Sequence, residues 1–585
     1  MQTSNKITFL AATGLLAWMG IAAISSMAED SSTMDELAHL PAGYSYLTQQ
    51  DMRINPEHPP LIKDLAALPL LFISGINFPS DVKAWTEDLN GQWDFGTALF
   101  YKSGNDADKM LFWGRIPMII VMLLLGLILF FWIRQLWGDN AALLTLFLYS
   151  FSPTFLAHGR LVTTDVGAAL GVVLATAFFL NFLQNPSLKN IILAGIALGI
   201  AELIKFNLVL LYPFLGLTII FWTLVKIGRQ KIKNFFLYCV KFAAIIAVAW
   251  LLIWPVYAFH VQNLPAEKQI KYVEVFTQGH PAGKALIPFT LFLSQHELLR
   301  PWGYYMLGVD MATQRASGGN TTYFMGEVSA AGWLSYFPLI YVIKEPLALF
   351  LLIIFALVYM AVAIKRPPWQ ESPKRLKSWL AGHFTQFAML LWIAIYWAAS
   401  LASNLNIGIR HLLPTFPFVY ALVAWATMQW VPTGGRFKKF SFAFVVLILL
   451  WQAITVIKVY PSFLSYFNEL AGGPTGGSSY VVDSNLDWGQ DLKRLAKFVK
   501  QNNIDKIKIA YFGGGIPKYY LGGKAESFKW EEPQKGWVAI SATLLRGGQS
   551  VPAPGFNEST SHFYWLYPYQ PVTVIGNSIF VYNIL

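Results

Sequence analysis

The chain has 585 residues, of which 55% are hydrophobic, 16% aromatic and only 13% charged, about half the roughly 25% charge usual in soluble proteins. Its mean hydropathy is +0.47, and apolar runs long enough to cross a hydrocarbon core of about 30 Å recur throughout. These features exclude a soluble multidomain protein. They also exclude an outer-membrane barrel, whose strands are alternating segments of about 10 residues. The net charge of +11 does not point to nucleic acid, because the basic residues are not gathered into one face or tail and fall mostly in short loops between apolar runs. The single cysteine, Cys239, lies inside an apolar run, so no intramolecular disulfide is available.

In chain order, the first apolar run is Ile7 to Met27, preceded by one lysine and ending in small residues. A cleaved signal peptide is one reading of it. Its length, beyond a signal core of about 7–15 residues, favours a retained anchor. Later spans are expected at Leu111–Trp137, Ala141–Phe155, Val166–Leu183, Ile191–Ile204, Leu208–Val225 and Phe235–Phe259. After a long gap come Tyr336–Ile364, Phe384–Ala402, Leu412–Trp430 and Phe440–Val459, about 11 crossings in all. Three loops carry most of the positive charge: Lys226, Arg229, Lys231 and Lys233; Lys365, Arg366, Lys374, Arg375 and Lys377; Arg436, Lys438 and Lys439. The positive-inside rule makes all three cytoplasmic. Met1 is then inside, and residues 29–110, 260–335 and everything after Tyr460 lie outside.

The tail differs in composition. Asp487–Asn502 carries Leu492, Leu495, Phe498 and Val499 at helical spacing, with Asp487 as the expected cap. Ile507–Tyr511, Trp537–Ile540 and Ser578–Tyr582 read as short strands. The expected fold is therefore a polytopic α-helical membrane protein with external loop helices and a small C-terminal α/β domain. Residues 1–460 form the transmembrane module, and 461–585 form an external linker and domain.

Polar chemistry crowds the outer boundary. Asp35 and Glu36 follow the first span, and Asn55-Pro56-Glu57-His58-Pro59-Pro60-Leu61 leads into an apolar stretch, Ile62 to Ile76, expected to lie in the interface as a helix. A carboxylate pair held there suits proton abstraction from a hydroxyl or metal binding; a solvated helix start is the plainer alternative. Glu57 and His58 form a weak candidate metal pair, for Mg, Mn or Zn. The turn from Ser152 to Asp165 holds Arg160, and Asp165 opens the next helix, where it is a candidate cap. Arg160, Lys205, Lys344 and Arg410 all map to outer ends of spans, against the charge rule, so each requires a partner. A phosphate at headgroup level is one, and nearby carboxylates are the other. The loop Gly318 to Glu327, with Tyr323, is Gly-rich but matches neither a Walker loop nor a dinucleotide fingerprint.

Several strings together resemble a known family. They are Asp35-Glu36, Glu57-His58-Pro59-Pro60-Leu61, Arg160 to Asp165, Tyr323 to Lys344-Glu345-Pro346, and Asn406-Ile407-Gly408-Ile409-Arg410-His411-Leu412-Leu413-Pro414. Tyr466 to Gly473 and Asp483-Ser484-Asn485-Leu486-Asp487-Trp488-Gly489-Gln490-Asp491-Leu492 complete the set, and these two long strings are the most specific. The chain resembles the polytopic GT-C glycosyltransferases of family 39, the protein O-mannosyltransferases and bacterial aminoarabinose transferases, in a bacterial subgroup. The resemblance implies transfer of a monosaccharide from a polyprenyl-phosphate donor to an acceptor glycan, lipid or protein outside the cytoplasmic membrane. It implies Asp35 as catalytic base and Asp165 as a second acidic site residue. Arg160, Lys344 and Arg410, with the adjacent His411, would hold the donor phosphate, and Glu57 would help hold a metal. His58 stands where the aminoarabinose transferases often carry lysine. Glu36, Lys205, Tyr323 and Glu327 are further candidates.

A transporter or flippase of lipid-linked sugars is the competing reading, since it binds the same phosphate without breaking its bond. The spans are comparatively free of midplane polar groups and show no internal repeat, unlike transporters built around broken helices. The external carboxylates favour the enzyme. The sugar and the acceptor are not encoded legibly.

Overall fold

The computed structural model describes residues 2–226, 231–277, 283–363, 373–433 and 438–585. Arg229, Lys365, Arg366 and Arg436 of the basic loops fall outside the described residues.

The expected spans fall on helical segments, though not each on one unbroken helix: the run Ala141–Phe155 ends its helix at Ser150, and a new helix begins at Pro153. Among the described residues eight helices are long and apolar enough to cross a membrane. The first, α1 (Gln2–Met27), is predominantly apolar on all sides from Ile7 onward, as a helix facing lipid and neighbouring helices must be. The longest, Ala107–Trp137, has 31 residues; at 1.5 Å per residue it measures about 46 Å, so it projects beyond the hydrocarbon or tilts within it. Asp106 caps it by accepting from the Lys109 amide. Two of the expected spans are shorter, Asp139–Ser150 with 12 residues and Leu188–Ile204 with 17. A third, Tyr336–Lys344 followed by Leu347–Ala361, is broken by a bend of 106°. Pro346 stands at the break, where it supplies no amide to a helical ladder and disfavours helical backbone at Glu345.

Small residues bring the helices close. A methyl group added at Gly167 would sit 2.6 Å from Ile62 Cδ1, so glycine there lets Asp165–Gln184 lie close against the helix Leu61–Ala67, which follows α2 (Met34–Gln49). Leu188–Ile204 packs between Asp165–Gln184 and Lys231–His260. The stretch expected as one interfacial helix is shorter than anticipated. α3 spans Leu61–Ala67 and then tightens to a 3-10 turn, Leu68–Phe72, because Pro69 removes an amide the α-helix would need. Leu68, Leu71 and Phe72 are exposed there.

The three segments expected outside meet at one end of the bundle. The Ser31 amide donates to Gln490 O, Asn263 to Gln50 O, and Met325 to Tyr480 O. A small sheet there has the order β1 (Thr322–Phe324), β2 (Glu327–Ser329), β6 (Val551–Pro552), so the loop before the broken span pairs with the tail. The tail's own sheet runs β4 (Ala525–Glu526), β3 (Ile507–Ala510), β5 (Gly536–Ser541), β8 (Ile579–Ile584), β7 (Thr573–Ile575). β3 pairs in parallel with β4 and β5, and β8 runs antiparallel to β5 and β7. The helix Leu492–Gln501 buries Leu492, Leu495 and Val499 against this sheet. It begins four residues later than Asp487 suggested. Asp491 occupies the N-cap position, while Asp487 is turned inward and accepts from the Thr543 amide at 2.9 Å.

Candidate active site

α2 starts at Met34, immediately after Thr33 at its N-cap position. Glu36 reaches back to accept from the Thr33 amide and hydroxyl, both at 3.0 Å. Its two oxygens also accept from Arg115 at 2.8 and 2.7 Å, and Oε1 accepts from the Val162 amide at 3.1 Å. Glu36 is thus a buried structural carboxylate, committed on every side, and not a free site residue. That commitment fixes the first turn of α2 and presents its neighbour Asp35 to a cavity. An anion in a first helical turn is also favoured by the helix dipole.

The cavity has a volume of about 370 Å³. Its wall combines polar groups, among them Asp35, His39, Glu57, His58, Arg410 and His411, with apolar ones, among them Phe206, Leu210, Val309, Phe337 and Ile407. Asp35 and His39 come from the same helix at a spacing of four, which puts both on one face. The ring Nδ1 of His39 lies 3.1 Å from the Val162 carbonyl, so that nitrogen carries the proton and Nε2 is left as an acceptor. Burial pushes the His39 imidazole below the usual range despite the opposing Asp35 charge.

One guanidinium organises the acidic groups. Arg410 Nη1 lies 2.7 Å from Asp35 Oδ2 and 3.2 Å from Asp165 Oδ2. Asp165, at the start of Asp165–Gln184, is paired a second time, through its Oδ1 with the Lys205 ammonium. Burial would raise the Asp35 carboxyl. The Arg410 charge opposes it, with help from His39 and from the Arg410 hydrogen bond, and holds the group below the ordinary carboxylate range. His411, next to Arg410, has its Nε2 buried without a protein partner among the described residues.

Two cations expected at a phosphate do not face the cavity. Arg160 is buried and pairs with Asp30 at 2.9 Å, and Asp30 pairs again with Arg494 at 2.8 Å. Lys344 is saturated, its ammonium donating to the carbonyls of Leu464 (2.9 Å), Tyr466 (2.6 Å) and Asn485 (2.6 Å). Each has the partner that its expected outer position calls for, but that partner is protein: a carboxylate for Arg160, backbone for Lys344. Tyr323 donates to Ser479 O at 3.1 Å, and Glu327 is exposed on β2; neither lines the cavity.

Glu57 and His58 do line it, but they do not form a metal cage. Glu57 accepts from Gln92 Nε2 at 3.0 Å and faces Arg315 Nη1 at 3.4 Å, while the His58 ring meets the His39 ring edge-on, 4.8 Å between centroids. Among the described residues no three His, Cys, Asp or Glu side chains converge as a metal would need. Residues that sequence reasoning left without a role complete the wall, including Gln92, Trp93, Arg315 and Tyr396. The spacing of His39 from Asp35 was the one available signal for His39. Arg315 and Gln92 come from distant segments and had none.

Residues 95–254 match the family described as dolichyl-phosphate-mannose-protein mannosyltransferase, in agreement over that stretch with the resemblance read from the motifs. Among curated proteins none matches the chain. Three solved structures have a distantly similar outline. The archaeal oligosaccharyltransferase AglB from Archaeoglobus fulgidus, in complex with an inhibitory peptide and a dolichol-phosphate, has 14% identity and a TM-score of 0.45 over 92% of this chain and 71% of its own. ArnT from Cupriavidus metallidurans, bound to undecaprenyl phosphate, has 12% identity and a TM-score of 0.44 over 97% of each chain. The S. cerevisiae protein O-mannosyltransferase Pmt1-Pmt2 complex, bound to the sugar donor, has 18% identity and a TM-score of 0.33 over 44% of this chain and 34% of its own.

Proposed function

We propose that this chain is a glycosyltransferase that moves a monosaccharide from a polyprenyl-phosphate donor to an acceptor hydroxyl at the external face of the cytoplasmic membrane. The observation that carries the reading is Arg410, which lies on the cavity wall with Asp35 and is also paired with the buried Asp165, in a cavity whose wall carries apolar groups such as Phe206, Leu210 and Phe337 beside the polar ones. The apolar wall suits a lipid-borne substrate. The cation suits its phosphate, and the carboxylate suits a proton. The family match over residues 95–254 supports the same chemistry.

In this reading Asp35 is the general base and Asp165 the anchor. Asp165 keeps Lys205 as a partner when Arg410 is drawn to a phosphate, whereas Asp35 pairs with Arg410 alone among the described residues. Loss of that pairing leaves Asp35 a desolvated and more basic carboxylate. It takes the proton from the acceptor hydroxyl as the acceptor oxygen bonds to the anomeric carbon. The bond from that carbon to the phosphate oxygen breaks, and polyprenyl phosphate departs with the electron pair. A single displacement inverts the anomeric centre. Arg410 and the unpartnered His411 nitrogen face the leaving phosphate, and donors already oriented in a site of low dielectric stabilise developing charge most effectively. The three basic loops lie inside and the tail from 461 to 585 outside, as a domain packed over the site. No step runs through a metal, since Glu57 and His58 lack a third converging ligand among the described residues.

The test is mass spectrometry of lipids copurifying with the wild-type chain and with Asp35→Asn. Polyprenyl-phosphate sugar enriched on the variant is the expected result, because donor binds and transfer stalls. Equal amounts on both proteins would favour a flippase instead.

A further inference from the structure

The string Asp483 to Leu492 in the tail supplies no residue to the cavity wall, yet it is bonded to Arg410 and to the residues just before Asp35. On the Arg410 side, Ser484 Oγ accepts from Arg410 Nε at 3.2 Å and donates to Ile407 O at 2.5 Å. The Trp488 ring lies under the guanidinium, 4.2 Å from its carbon to the ring centroid. Asn485 Oδ1 accepts from the Ile409 amide at 2.9 Å, which fixes the backbone next to Arg410. On the Asp35 side, the Met34 amide donates to Trp488 O at 3.0 Å and the Ser31 hydroxyl to Gly489 O at 2.7 Å.

We propose that this segment is a working part of the active site, with Ser484 and Trp488 as positioning residues that set Arg410 against Asp35. The inference rests on the glycosyltransferase reading above and adds the tail to its machinery. The geometry leaves little slack. Ser484 and Trp488 are both buried. A methyl group at Gly408 would lie 2.3 Å from Ser484 Oγ, and one at Gly489 would lie 2.4 Å from Gly513 Cα. Gly489 also has φ of +100°, a conformation open to glycine and costly to other residues. Two of Arg410's contacts, the Ser484 bond at Nε and the Trp488 face, leave its Nη1 aimed at the two carboxylates. A planar guanidinium held by one edge and one face has its remaining edge fixed in direction. When a phosphate arrives, the same two contacts keep the cation in place while its carboxylate partner changes.

The experiment measures binding of undecaprenyl monophosphate, and of undecaprenol as control, to the purified full chain in detergent. The wild type is expected to prefer the phosphate, and Arg410→Ala to lose that preference. Ser484→Ala and Trp488→Leu are expected to weaken phosphate binding by about ten-fold, the scale of one hydrogen bond to a charged group for Ser484 and of a desolvated cation–π contact for Trp488, while undecaprenol binding stays at the wild-type level. Trp488→Phe, which keeps an aromatic face, is expected to restore most of the preference. A merely structural role would lower both ligands together and would not respond to the aromatic face. If Arg410→Ala loses the preference while Ser484→Ala and Trp488→Leu keep it, the positioning role is overturned and the site reading stands. If the wild type shows no preference for the phosphate, the reading of the site itself fails, and this inference with it.

Discussion

Asp35 and Asp165 share one guanidinium but have different surroundings. Asp165 holds two cations, Lys205 and Arg410, and Asp35 holds one among the described residues. What the sequence shows of both is an acidic group in the first turn of a helix beside an apolar span. Arg410 was legible as a cation in the wrong place. Arg160 and Lys344 carry the same pattern but not the same place, because a cation at a span end needs a partner and sequence does not say which. Asp30 and three carbonyls answered that need. Asp487 is another residue whose surroundings outweigh its pattern. Burial is the largest influence on it and pushes its carboxyl up to about 8, with the Thr543 amide and hydroxyl opposing. Its Oδ1 has no partner among the described residues. The native state therefore binds a proton at Asp487 that the unfolded chain has released, so this group's contribution to stability falls as pH rises from about 4 to about 8. Asp487→Asn should flatten the dependence of Tm on pH across that window and raise Tm at its upper end. An unchanged slope would show that Asp487 is ionised when folded.

At the scale of elements, long apolar runs identified the helices because length and composition alone decide whether a segment can cross a hydrocarbon core. They did not identify the break between Lys344 and Leu347, although Pro346 was visible, since proline inside a span is also compatible with a kinked continuous helix. The structure shows what the break does. It ends Tyr336–Lys344 so that the Lys344 ammonium can gather the carbonyls of Leu464, Tyr466 and Asn485. The tail is thereby tied to the membrane bundle at the segment that also seats Arg410. Lys344→Met would leave three buried carbonyls without this donor, at about 1–3 kcal/mol for each unsatisfied group. The expected result is a lower yield of folded protein and a lower Tm, with the phosphate preference of the surviving folded fraction retained. Normal folding together with lost phosphate binding would return Lys344 to the list of phosphate ligands. Helix starts in the tail were less legible for a related reason. Asp487 and Asp491 are both acceptable caps by type, and packing of the preceding loop against Thr543 chose between them.

At the scale of the whole molecule, the charge of the loops assigned three segments to one side, and these three segments do pack together at one end of the bundle. What no local pattern carried was their interlocking. β6 pairs with β2 across more than 220 residues of chain, and β4 and β6 are only two residues long, too short for any alternation to show. The site follows the same rule: α2, the helix Asp165–Gln184, the turn Ile409–Thr415 and the tail each contribute one part. The central claim is that a donor phosphate meets Arg410 at this junction. Its most direct test is an experimental structure of the Asp35→Asn chain with its copurified lipid. The account predicts phosphate density within hydrogen-bonding distance of Arg410, beside His411, with the lipid tail along Phe206, Leu210 and Phe337. Phosphate seated instead at Arg160 or Lys344 would contradict it.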